Sequence, residues 1–296
     1  MLTLIKGYGT IRLEIEKHKF FNQENKIMNT ENIAKLYNFD AVKDKSAIDR
    51  GLTIWKRYPS EMLSINADAK TSKGKKIGVL TGVLYEAPAD MASPKTLCPM
   101  AKQAGCESAC LYHAGRGRFT NVQQARIRKT LFIDQYPALA HIRLINSIER
   151  LVSKAHRSGM VPAVRLNGTS DRDWNKWCKR HGLRNIFKMF PNVQFYDYTK
   201  VVGREQHSNH NVTLSYSHRP EYQKTADKML KSKAYNVAVA FHGKTLPDTF
   251  GGRRVINGDE SDVRFYDDQN VVVGLTFKGS ASNDVNGFAV PTESIQ

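Results

Sequence analysis

Three of the four cysteines in this chain, Cys98, Cys106 and Cys110, fall within thirteen residues in the arrangement Cys-x7-Cys-x3-Cys. Thiolates gathered in one loop are soft donors, suited to a transition metal or an iron-sulfur cluster. Pro99 and Gly105 supply the turns that such a wrap needs. A cysteine can also be a small buried hydrophobe, a role that does not call for three in one loop. Three ligand sets compete. The three thiolates alone would hold a 4Fe-4S cluster and leave one iron open to a further ligand. Adding His113 gives Cys-x7-Cys-x3-Cys-x2-His, in outline a tetrahedral zinc site. Recruiting Cys178, in DWNKWCKRHG, would close the site with a fourth thiolate.

A loop of this kind needs a scaffold, and short β-branched runs alternating with helical patterns provide one. Residues 79–84 read as a strand immediately before the cysteines, followed by strands over 163–166, 193–198, 212–216, 237–241 and 271–276. Helical spacing links them: Val122, Ala125 and Phe132 up to Pro137, then Leu144 to Ala155 up to Gly159, then 173–181 and 221–233. Strands separated by helices predict an α/β fold with a mostly parallel sheet, an incomplete (β/α) barrel or an open one. The gaps within 254–275 are too short for crossover helices, which predicts a hairpin-like edge there.

Polar residues stand where the expected strands end: Asn167, Thr169, Ser170 and Asp171, then Asp197 and Lys200, then Ser215 and Ser217. In a parallel arrangement these positions line one mouth. Cysteines after the first strand, with polar residues at later strand ends, resemble the layout of radical S-adenosylmethionine enzymes, although the usual spacing there is Cys-x3-Cys-x2-Cys. On that reading the cofactors are a 4Fe-4S cluster and S-adenosylmethionine, with zinc as the alternative. Asp171, Asp197 and Lys200 are the candidate catalytic residues. Asn167, Ser170, Ser215, Ser217 and Arg116 are candidates to bind cofactor. The metal ligands are Cys98, Cys106 and Cys110, with His113 as the candidate fourth.

Other stretches carry weaker signals. The run Asn257-Gly-Asp-Glu-Ser-Asp262, together with Asp171, Asp173 and Asp197, would suit a divalent cation and phosphodiester cleavage, but turns are rich in the same residues. Gly115-Arg-Gly-Arg118, ahead of a helix with Arg126, Arg128 and Lys129, suits a phosphate or carboxylate. It is not a P-loop, because no Gly-Lys-Ser/Thr follows. Phe195-Tyr-Asp-Tyr198 and Tyr216 would stack a base or simply face a core. No Ser-His-Asp triad is visible, and the histidines at 207, 210, 218 and 242 have no ligand spacing.

A formal charge of +17 on 296 residues favours polyanions, DNA or RNA, as partners. No run approaches the roughly 18 apolar residues of a membrane span, and charge interrupts the first residues too often for a signal-peptide core. A cytoplasmic setting is expected. Residues 1–75, rich in Lys, Asn and Glu, read as a partly flexible helical appendage, with residues 1–27 ahead of a second start at Met28. Residues 76–296 read as the metal- or cluster-binding domain.

Five uncommon words occur in order: LYEAPAD, CPMAKQAGCESACLYHAGRG, VRLNGTSD, FYDYTK and GDESDVRF. Over roughly 78–280 they resemble the phage family called gene product eighty-eight. The resemblance implies a bacteriophage origin and thus a host-cytoplasm setting, and it implies no activity. Asn257 stands where that family's pattern leads one to expect Asp, which weakens a catalytic role for the late acidic run. The leading expectation is an iron-sulfur enzyme of radical S-adenosylmethionine type acting on nucleic acid or nucleotide. The alternative is a non-catalytic basic nucleic-acid binder with a structural zinc site, and a metal-dependent nuclease comes third.

Overall fold

The computed structural model describes residues 61–65, 69–93, 95–107, 110, 115–243, 245–277, 284 and 287–291. All of these fall in the compact unit Tyr58–Gln296. The appendage expected over 1–75 lies outside the described residues as far as residue 60. After it, Ser64–Ile65 (β1) and Ala69–Lys75 (α1) border the sheet.

Val79–Val83 (β2), Val161–Arg165 (β3), Gln194–Thr199 (β4), His210–Ser215 (β5) and Val237–Phe241 (β6) follow in sequence. Thr249–Phe250 (β7), Arg253–Asn257 (β8) and Val272–Thr276 (β9) complete a nine-stranded sheet ordered β1-β2-β3-β4-β5-β6-β9-β8-β7. All pairings from β2 to β8 are parallel; only the edges, β1 on β2 and β7 on β8, are antiparallel. The mostly parallel α/β sheet is thus as expected, and it is open, with β1 and β7 at its two ends.

Ala101–Ala104 (α2) lies in the cysteine loop; Thr120–Gln135 (α3) and Pro137–Arg157 (α4) lead to β3. Pro137 does more than end α3: it occupies the first turn of α4, where its missing N–H costs nothing. Trp174–Arg180 (α5) and Ile186–Met189 (α6) lead to β4, and Gln223–Lys231 (α7) to β6. Asp173 and Asn185 cap α5 and α6, each accepting from the backbone N–H three residues on.

These helices share one face of the sheet. A side chain at Gly82 would meet Leu151 of α4 at 3.0 Å, Phe187 of α6 packs edge-on against Phe195 at 5.0 Å, and Ala226 and Met229 of α7 pack with Leu214, Val237 and Val272. The opposite face is covered differently. Val79, Ala163 and Tyr196 pack there with Val263 and Phe265, so the chain after β8 crosses back over the sheet as a strap before returning to β9.

That strap corrects the hairpin expected over 254–275. The hairpin lies one strand earlier, joining β7 to β8 through Gly251 and Gly252, whose positive φ of 57° and 74° suits a tight two-residue turn. A parallel β8–β9 pair needs a long crossover, and the strap supplies it without an α-helix.

Candidate metal and cofactor site

Parallel strands end together, and at that end the loops after β2, β3, β4 and β5 converge. The cysteine loop is pinned to the strand ends at two points. The Asp171 N–H donates to the Leu97 carbonyl at 3.1 Å, beside Cys98. The Ser217 hydroxyl donates to the Ala104 carbonyl at 2.7 Å, two residues before Cys106. Each cysteine is partly exposed.

Lys200, at the end of β4, is buried beside them. Its ammonium donates to the Ser215 carbonyl and hydroxyl at 3.2 and 3.1 Å and to the Tyr216 carbonyl at 3.4 Å. The Phe288 ring lies 4.5 Å from the same nitrogen. The Tyr222 hydroxyl donates to the Lys200 carbonyl at 2.6 Å. Burial lowers the Lys200 amine, while Cys106, Asp171, Cys98 and Cys110 pull it back up. Burial pushes the Cys98 thiol up to about 12, against the Ala89 N–H that donates to its sulfur. Cys106 is also raised by burial, with Lys200 opposing. The three thiols and Lys200 therefore act on one another electrostatically.

The loop Asn167-Gly-Thr-Ser-Asp-Arg forms the neighbouring shelf. Asn167 organises it, its Oδ1 accepting from the Ser170 hydroxyl and the Arg172 N–H, both at 3.0 Å. Its own N–H donates to Asp197 at 2.9 Å. Asp171 then receives Thr199 at 2.7 Å, the Lys200 N–H at 3.0 Å and Arg204 at 2.5 Å. Burial raises both carboxyls, Asp171 against Arg204 and Asp197 to about 7 against Arg165. Gly168 is required by close approach, since a Cβ there would meet the Tyr85 ring at 2.6 Å.

The structure thus brings together Asn167, Ser170, Asp171, Asp197, Lys200, Ser215 and Ser217 with the three cysteines. Arg116 is exposed on the turn Gly115–Arg118. His113 lies outside the described residues, as do Leu111, Tyr112 and Ala114. Cys178 is buried in α5 on the helix-covered face, its thiol raised to about 11 by burial against the Ile186 backbone.

Five residues escaped the sequence reading. Glu86 is fully buried and grips Arg172 through three contacts of 2.6 to 3.1 Å, and Arg172 also reaches Asp134 at 2.8 Å. A carboxylate directly after an apolar strand was the available signal for Glu86. Arg204 and Tyr222 gave none, because their partners are distant in sequence.

Behind the shelf, under α5 and α6, lies a small cavity lined by Asn167, Asp197, Trp174, Phe187, Arg204 and His210. His210 stacks on Phe187 at 4.2 Å, and burial lowers it to about 3. Neither of its ring nitrogens makes a hydrogen bond among the described residues; Nε2 stands 3.9 Å from Asp197. The late acidic run goes elsewhere: Asp259 accepts from the Thr276 N–H at 2.8 Å, Glu260 from Asn257 at 3.0 Å, and Asp262 pairs with Arg165 at 3.1 Å.

By donor type alone, three thiols in one loop suit a soft metal or a cluster. Among the described residues, no group of three or more His, Cys, Asp or Glu side chains is arranged to hold a metal ion. None of the described helices is long and apolar enough to cross a membrane. Searches of the curated proteins and of the solved structures find no match. A family profile described as Gene product 88 matches residues 61–290, from β1 through the sheet to the segment beside β6. The chain belongs to the Gene product 88 family.

Proposed function

We propose that this protein is an iron-sulfur enzyme of radical S-adenosylmethionine type, with nucleic acid or nucleotide as its substrate. The observation that carries the reading is the tethering of the cysteine loop, by Leu97 to Asp171 and by Ala104 to Ser217, at the C-terminal ends of parallel strands, where ligands bind in such sheets. Sequential strand order from β2 to β6, with α4, α6 and α7 on one face, is also the winding of part of an opened (β/α) barrel.

Cys98, Cys106 and Cys110 would hold the cluster. Bound there, it would supply the electron that cleaves the sulfonium of S-adenosylmethionine. The chain's own residues do the rest. Asn167 fixes the shelf so that Ser170 and the Ser215 hydroxyl present polar atoms to a ligand. Lys200, with its N–H bonds directed at the Ser215 carbonyl and hydroxyl and the Tyr216 carbonyl, holds its amine in a fixed place beside the thiols. Asp171 ties Lys200 and Arg204 to the cysteine loop. The net charge of +17 favours a polyanionic substrate.

Anaerobic purification tests the metal. A brown protein absorbing near ~410 nm, bleached in the Cys106→Ser variant, is expected. A colourless protein with one zinc per chain would replace this reading with a structural site. The cofactor is tested by reduction with S-adenosylmethionine: absence of 5′-deoxyadenosine from cluster-loaded protein would end the radical reading.

A further inference from the structure

Residues 115–133, beyond the third cysteine, are not among those brought together at the site above. Between Glu107 and Asp134 the chain holds no acidic residue and five Lys or Arg. Two of these turn inward: Lys129 donates to the Met62 carbonyl at 2.8 Å, and the Arg126 guanidinium sits 5.0 Å from the Tyr85 ring centre. Arg116, Arg118 and Arg128 are exposed. Between them stands Phe119, 51% exposed, with the Arg118 guanidinium 5.9 Å from its ring centre.

A phenyl ring half in water contradicts the burial that drives phenylalanine inward. Beside the Arg118 guanidinium, it offers a stacking face for a base, and the nearby arginines offer charges for the phosphates. Another acid-free basic stretch, residues 174–193, makes the contrast. Lys176, Lys179, Arg180, Arg184 and Lys188 are exposed there, but Trp174, Trp177, Phe187 and Phe190 are all buried. That stretch supplies a field without a stacking surface. Bases in a duplex are already stacked on one another, so an exposed ring favours a single strand.

We propose that the surface formed by Arg116, Arg118, Phe119 and Arg128 binds single-stranded nucleic acid, one base stacking on Phe119 and the flanking phosphates pairing with Arg118 and Arg128. The surface is close to the thiols by chain length alone: Arg116 follows Cys110 by six residues, a reach of about 20 Å at most. The inference rests on the enzyme reading only for where the strand leads, since binding needs neither cluster nor S-adenosylmethionine.

Fluorescence anisotropy of the full-length protein with a labelled mixed-sequence single strand, and separately with its duplex, tests it. Tighter binding of the single strand is expected. Phe119→Ala should weaken that binding about tenfold while changing duplex binding less, and Phe119→Trp should retain it. Arg118→Gln and Arg128→Gln should each reduce the slope of log affinity against log salt by roughly 0.7. Equal binding of single strand and duplex, an unchanged Phe119→Ala variant, or an unmoved slope would each overturn the proposal. A protein that binds the strand yet releases no 5′-deoxyadenosine keeps this inference and loses the enzyme reading; the reverse outcome separates them the other way.

Discussion

The cysteine mouth and the strap over the opposite face are both rich in buried charge, and they use it differently. In the strap, Asp262 meets Arg165 at 3.1 Å, Tyr198 leans on the same carboxylate, and Arg264 pairs with Asp267 at 3.2 Å. Those charges are directed at one another. At the mouth, Lys200 spends its N–H bonds on neutral oxygens and faces three thiols, and burial raises the carboxyls of Asp171 and Asp197. Ion pairs closed on themselves, such as Arg204 with Asp171 at the mouth, hold elements together; Lys200, held by neutral partners, remains available to a ligand.

The sharpest way to break the comparison is to remove one partner of the strap pair. Asp262→Ala leaves Arg165 buried and uncompensated, and should cost about 3–5 kcal/mol of stability by urea denaturation. A loss under about 1 kcal/mol would mean that the pair is solvated and the strap loosely held. Asp197 gives a smaller effect with a pH signature. Its carboxyl titrates near 3.8 when unfolded and about 7 when folded, so the folded chain holds a proton that the unfolded chain has lost. Stability should therefore fall as pH rises through that window, by at most about 4 kcal/mol, and level off above it. Asp197→Asn should flatten the slope, and a slope that survives the substitution would assign it to another group. The smallest effect concerns Asp259: losing its bond to the Thr276 N–H should cost about 1 kcal/mol and leave any magnesium-dependent cleavage unchanged. Loss of such cleavage would return the late acidic run to the list of catalytic candidates.

The core of the fold was legible because β-branched runs such as Val237–Phe241 occupy strands buried on both faces. The mouth was legible for a related reason: where a parallel strand ends, the chain must turn polar, as Asn167 to Asp171 do. Residues whose role depends on distant partners were not. Arg204 acquires meaning only when Asp171, 33 positions earlier, is folded against it. The hairpin was misplaced because the short gaps within 254–275 left no room for a crossover helix, whereas the strap crosses without one and the reversal falls at Gly251 and Gly252. Asp262 itself looked like one carboxylate among several, and only the path of the strap shows that its partner is on β3.

That path bears on the order of folding. Arg165 and Asp262 are 97 residues apart in sequence, and closing so long a loop gains nothing until β3 and β4 offer a surface to dock on. The strap is then expected to settle late, and until it does, Val79, Ala163 and Tyr196 lack the cover of Val263 and Phe265. In refolding, brief capture of an apolar dye should report that interval, and its length should grow in Asp262→Ala.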